Sequence, residues 1–161
     1  MTFFSPFRSL LATAVFAAAL PACADDKKDK PAAEEKIKVT VIAILASTEH
    51  EKIDKRLTEL APELKKKNAK WTGFEVERTS SESIKVGDKS TFKLVDDIKV
   101  VVEIKERDQT TGCISLVVKP DTLGEVSYTC CCGKYVPVIT RYDTKNKERL
   151  VIAIMVKQCG K

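Results

Sequence analysis

The feature that most constrains this chain is a change of period at Trp71. From there on, apolar side chains recur at every second residue, in short runs closed by turn residues. Phe74 and Val76 alternate with Glu75 and Glu77, Ile84 and Val86 precede Gly87-Asp88, and Phe92 and Leu94 precede Asp96-Asp97. Ile98, Val100, Val102 and Ile104 run to a turn at Asp108 to Gly112, and Ile114, Leu116 and Val118 run to Pro120-Asp121. Val126 to Cys132, Tyr135 to Tyr142 and Leu150 to Val156 follow. A period of two places alternate side chains on opposite faces of a strand. Seven or eight such strands joined by hairpin-length turns predict an antiparallel meander, either a sandwich or a strongly curved sheet.

Two elements precede this pattern. Ile37 to Ala46, IKVTVIAILA, is β-branched and almost continuously apolar, the pattern of a strand buried on both faces. Thr48 and Glu51 then have the spacing of a capping box, which predicts a helix start. Ile53, Leu57, Leu60, Ala61 and Leu64 form its apolar stripe, Pro62 kinks or splits it, and Lys65, Lys66, Lys67 and Asn68 close it. The expected fold is α+β, predominantly antiparallel β, in a single domain over residues 37–161.

An apolar strand ending Leu45-Ala46-Ser47, a helix carrying Leu57, Leu60 and Leu64, a Trp71-containing strand and a closing LVIAIMV run together resemble a set of uncharacterised bacterial envelope proteins. The resemblance covers most of residues 37–157. It implies a β domain on the envelope and no activity, and it carries over no functional residue.

Residues 1–22 read as a signal peptide. Arg8 supplies positive charge, and Ser9 to Leu20 is an uncharged apolar run. That run has signal length and falls short of the ~20 residues that cross a bilayer. Leu20-Pro21-Ala22-Cys23 resembles a lipobox, with Pro21 where a small residue is usual, which makes Cys23 the lipidation site. The alternative is cleavage after Ala24 and release as a soluble secreted protein. Ala24 to Lys36, ADDKKDKPAAEEK, has no apolar periodicity and reads as a solvated tether. The expected location is the periplasmic side of the envelope, as an outer-membrane lipoprotein held to the membrane by its acyl chain. Losing Arg8 with the signal lowers the formal charge from +5 to +4. The charges are interspersed and do not alternate with aromatics, so no nucleic-acid partner is expected.

No catalytic constellation is legible. His50 stands alone, so the multi-histidine zinc site and the oriented triad both lack members, and it reads as an exposed helix-start residue. The carboxylates of Asp88, Asp96, Asp97, Asp121 and Asp143 lie in turns, and no phosphate-loop, dinucleotide or nucleophile-elbow motif occurs. No cofactor or metal site is expected.

Cysteine is the unusual residue. Cys23 leaves the count under either route of maturation, and Cys113, Cys130, Cys131, Cys132 and Cys159 remain. An exported protein makes disulfides with one leftover thiol the first expectation. A thiolate metal site or a redox role at Cys130 to Cys132 is the alternative, although the run lacks the spacer through which paired cysteines converge on one ion. Register predicts the pairing. A hairpin closed between Lys119 and Val126 sets Cys113 opposite Cys132. One closed between Tyr142 and Lys147 sets Arg141 opposite Glu148 and Ile139 opposite Leu150, and brings Cys159 beside Cys130. Cys131 is then left free, unless a bulge at Gly133 exchanges it for Cys130. The chain is thus expected to be a non-enzymatic, membrane-tethered binding or structural module, with a thiol-based metal or redox protein as the rival.

Overall fold

A computed structural model describes residues 36–131 and 133–158. β1 (Lys36–Ser47) is buried along nearly its whole length, because one of its faces meets a second sheet and the other meets a covering segment. Its odd-numbered side chains Ile37, Val39, Val41, Ala43 and Leu45 enter one core, while Ile42, Ile44 and Ala46 enter another. A strand covered on both sides needs apolar residues at consecutive positions.

β1 is central in a four-stranded sheet with β2 (Gly73–Lys85), β8 (Arg149–Gln158) and β7 (Tyr135–Asp143), in the order β2-β1-β8-β7. The second sheet has the order β3-β4-β5-β6, from β3 (Lys89–Lys93), β4 (Lys99–Arg107), β5 (Ile114–Pro120) and β6 (Val126–Cys130). The pairings among these eight strands are antiparallel. Phe92, Val100, Val102, Ile104, Ile114, Leu116 and Val118 of the second sheet pack against Val39, Val41, Leu150, Ile152 and Ile154 of the first. The fold is therefore α+β and predominantly antiparallel β, a sandwich of eight strands with one helix among the described residues. Asp96 and Asp97 close the β3–β4 hairpin with φ of 47° and 64°, the two positive values of a type I′ turn. The Tyr142 hydroxyl donates to Asp96 Oδ2 at 2.8 Å and links that turn to the other sheet.

The predicted helix start is not where the chain turns helical. Ser47 Oγ accepts from the Glu49 amide at 3.1 Å, and residues 52–54 then run beside β2. The Phe74 amide donates to the Lys52 carbonyl at 2.8 Å, and the Asp54 amide to the Phe74 carbonyl at 2.9 Å. These bonds take the backbone groups that a helix from Thr48 would need. A 3₁₀ turn follows at Lys55–Leu57, capped by Asp54, and α1 spans only Ala61–Lys67, with Pro62 in its first turn. Pro62 divides the segment as expected: it has no N–H to give an upstream carbonyl and is favoured at a helix start. Leu57, Leu60, Ala61 and Leu64 are buried on the outer face of the first sheet with Trp71 and Phe74, whereas Ile53 is 37% exposed and outside that core.

The predicted β5–β6 register is corrected by one residue, and the β7–β8 register by one up to Ile139 and by three at Asp143. Val118 pairs with Val126, Leu116 with Tyr128 and Ile114 with Cys130. The predicted register would oppose Leu116 to Thr129 and Val118 to Ser127, and a slip of one residue exchanges the faces of a strand. The observed one keeps Tyr128 and Cys130 on the core side and sets Lys119 against Glu125, at 2.8 Å. In β7–β8, Ile139 pairs with Val151 and Tyr135 with Met155, and an irregularity follows before Asp143 pairs with Arg149. The Thr140 hydroxyl donates to the Leu150 carbonyl at 2.7 Å within that irregularity.

Candidate functional site

The one-residue correction at β5–β6 decides the cysteine geometry. Extending the ladder past Ile114–Cys130 sets Cys113 opposite Cys131, and the two lie at disulfide distance with Cα atoms 4.4 Å apart. Directly opposed strand residues fall within the range a disulfide spans. Cys131 is therefore not the leftover thiol, and Cys132 is not the partner of Cys113. Cys130 is buried at 1% exposure in the core between the sheets, and Cys131 is exposed. The neighbouring side chains diverge onto opposite faces, as alternation along a strand requires. Cys132, Cys159 and the lipidation candidate Cys23 lie outside the described residues. Among those that are described, no three His, Cys, Asp or Glu side chains converge.

His50 sits in a loop and not at a helix start. Its Nε2 lies 3.7 Å from Glu148 Oε1, and its Thr72-facing carbonyl accepts from Thr72 Oγ1 at 2.6 Å. Its Nδ1 is buried and finds no hydrogen-bond partner among the described residues. The turn carboxylates act on the backbone and on neighbouring cations. Asp121 Oδ2 accepts from the Lys99 amide at 2.9 Å. Asp54 binds the amide and guanidinium of Arg56, whose hydrogen bonds pull its carboxyl down to about 2.

The feature with a chemistry of its own is a cleft of about 370 Å³ beside the outer face of the first sheet. Three separate pieces of chain build it: the end of β1 with Ala46 and Thr48, the end of α1 with Lys67, Asn68 and Trp71, and the β7–β8 hairpin with Ile139, Asp143, Lys147 and Arg149. Arg149 is held rigidly. Its Nη2 donates to Asp143 Oδ2 at 2.9 Å, its Nε to Asp143 Oδ1, and its Nη1 to the Thr140 carbonyl at 3.3 Å. Lys67 and Lys147 have no ion-pair partner among the described residues. Three cations against one carboxylate leave the lining with an excess of two positive charges. Sequence reading assigned Lys67 to the helix dipole and Lys147 to a hairpin flank, and found neither as part of a site. No signal in either local sequence distinguishes them from solvated lysines.

Comparison with protein-family models, with curated proteins and with solved structures finds no match.

Proposed function

We propose that this chain is a non-enzymatic binding module of the bacterial cell envelope, exported on residues 1–22 and tethered to a membrane through an acylated Cys23. The observation that carries the reading is the opposition of Cys113 and Cys131 across β5–β6. A bond there persists in an oxidising compartment and is rare in a reducing one. It staples β6, one of the two edge strands of the second sheet, to its sheet neighbour β5. The signal-like residues 1–22, the charged stretch after Cys23 and the resemblance to envelope β domains agree with that address. The cationic cleft supplies a surface for a ligand. The rival use of Cys130 to Cys132 as a metal or redox site is disfavoured by the divergence of Cys130 from Cys131.

The full chain expressed in a two-membrane bacterium tests this. The native protein is expected in the membrane fraction with acyl mass on Cys23, and a non-reducing digest should yield a peptide joining Cys113 to Cys131. Cys23→Ala should move it to the soluble periplasm. A cytoplasmic protein whose Cys113 and Cys131 both alkylate without reductant would sink the reading. Zinc or copper at one equivalent would transfer it to the thiol-based rival.

A further inference from the structure

We propose that the cleft between β1, α1 and the β7–β8 hairpin binds a phosphomonoester group. The inference rests on the reading of the chain as a binding module and names the ligand class of its cleft. Exposed lysines are usually solvated, so their number alone decides nothing. What distinguishes Lys67 and Lys147 is that they border one concavity already holding Arg149, with a single carboxylate among the lining residues. Some cations elsewhere on the surface are matched locally, Lys52 with Glu75 at 2.7 Å, Lys105 with Glu103 at 2.6 Å and Lys119 with Glu125 at 2.8 Å. Other lysines with no ion-pair partner among the described residues, such as Lys38, do not line this cleft. A depression whose lining carries an excess of one sign of charge concentrates counter-ions. Trp71, only 6% exposed, and Ile139 also line it.

The excess of two charges matches a phosphomonoester, which carries close to two negative charges at neutral pH. Neutral donors are also in place. Thr48 and Asn68 line the cleft, and Asn68 Oδ1 accepts from the Lys70 amide at 3.1 Å, so its side-chain NH2 is the group left to donate. A volume of about 370 Å³ suits a small ligand or a headgroup, at the lower end of ordinary small-molecule sites. The phosphate can arrive on a soluble ester or on a lipid headgroup, and the same cations recognise both.

The test uses the full exported chain carrying Cys23→Ala, titrated at low salt with glycerol 3-phosphate and, separately, floated with vesicles containing phosphatidic acid or phosphatidylcholine alone. Lys67→Gln with Lys147→Asn should weaken binding about tenfold, two exposed charge contacts of ordinary strength. Asn is chosen because it tolerates the φ of 61° at Lys147. Lys38→Gln, also exposed and outside the cleft, should change it less than about twofold. Asp143→Asn should tighten binding by roughly two- to fivefold, because it unmasks Arg149. A merely structural role for these residues would not produce a gain. Binding of the soluble ester identifies a free ligand, and binding of phosphatidic acid vesicles alone identifies a headgroup; either supports the proposal. No binding in both arms, or equal loss in Lys38→Gln and the double variant, overturns it. The fractionation of the native chain is unaffected by these outcomes, so failure here and failure of the envelope reading can be told apart.

Discussion

Gly73→Ala is the single methyl group that the fold should resist most. Gly73 opens β2, is buried, and lies against His50. Its φ is unremarkable, so the demand is one of space. A Cβ there would stand 2.6 Å from the His50 carbonyl oxygen and closer still to ring atoms Nδ1 and Cε1, where ordinary contact begins at 3.4 Å. The ring can rotate away, but the carbonyl cannot move freely. It accepts from Thr72 Oγ1 at 2.6 Å, and two residues on, the Lys52 carbonyl accepts from the Phe74 amide at 2.8 Å. A shift near an ångström at His50 strains both bonds. Overpacking of this kind costs ~1–3 kcal/mol, and loss of one hydrogen bond adds ~0.5–1.5 kcal/mol. The expected destabilisation is ~2–4 kcal/mol, read as a lower urea midpoint at unchanged slope. His50→Ala alone should cost little. In the double variant the ring clash disappears and the carbonyl clash stays, so part of the loss should return, a coupling that a double-mutant cycle isolates. If Gly73→Ala stays within ~0.5 kcal/mol of the wild type, a tolerance usual for surface sites, the loop does not pack on β2 as described.

Leu57→Ala removes a fully buried side chain and should cost ~2–5 kcal/mol. Ile53→Ala, at 37% exposure, should cost far less, and the reverse order in urea melts would undock the covering segment. Cys113→Ser opens a bridge with a sequence separation of 18 and should cost about 3 kcal/mol on the chain-entropy estimate. Equal melting of native protein with and without reductant would argue that no bond forms. Asp54, lowered to about 2 mainly by its side-chain hydrogen bond to Arg56, ties the 3₁₀ turn at neutral pH. A depressed carboxyl stabilises above its unfolded value near ~4 and loses that contribution as pH falls through the folded value. Asp54→Asn should therefore flatten acid unfolding between about pH 4 and pH 2, and an unchanged acid limb would show that the pair contributes nothing.

Much of the fold was legible because strand periodicity is a local signal. β4 alternates cleanly, and β1 announces its burial on both faces by its continuous apolar run. The helix start was misread because Thr48 and Glu51 form a valid local cap that tertiary pairing overrides: β2 claims the backbone of Lys52 and Asp54 first. The cleft was not legible at all. Its cations are contributed by the end of α1 and by a hairpin some eighty positions later, as residue numbers 67, 147 and 149 show, and only folding makes them neighbours.

The registers failed for a different reason, and their failure explains the cysteine run. A hairpin register inferred from turn residues depends on knowing which residue closes the loop. At β5–β6 that closure depends on Lys119 meeting Glu125 and on keeping Leu116 against Tyr128, two pairings that the turn residues alone do not specify. A shift of one position exchanges Cys132 for Cys131 as the residue facing Cys113. In a run of three identical residues, each candidate is chemically equivalent, so composition cannot choose among them and only strand phase can. Phase also separates their fates: Cys130, paired with Ile114, enters the core, and Cys131 faces outward to Cys113. A metal ion drawing on both thiolates would have to pull Cys130 out of that core or twist the end of β6. The core position would then lose its packing and the edge strand its staple. The adjacency that makes the run look like a metal motif in sequence is what prevents its first two members from acting together in the folded sheet.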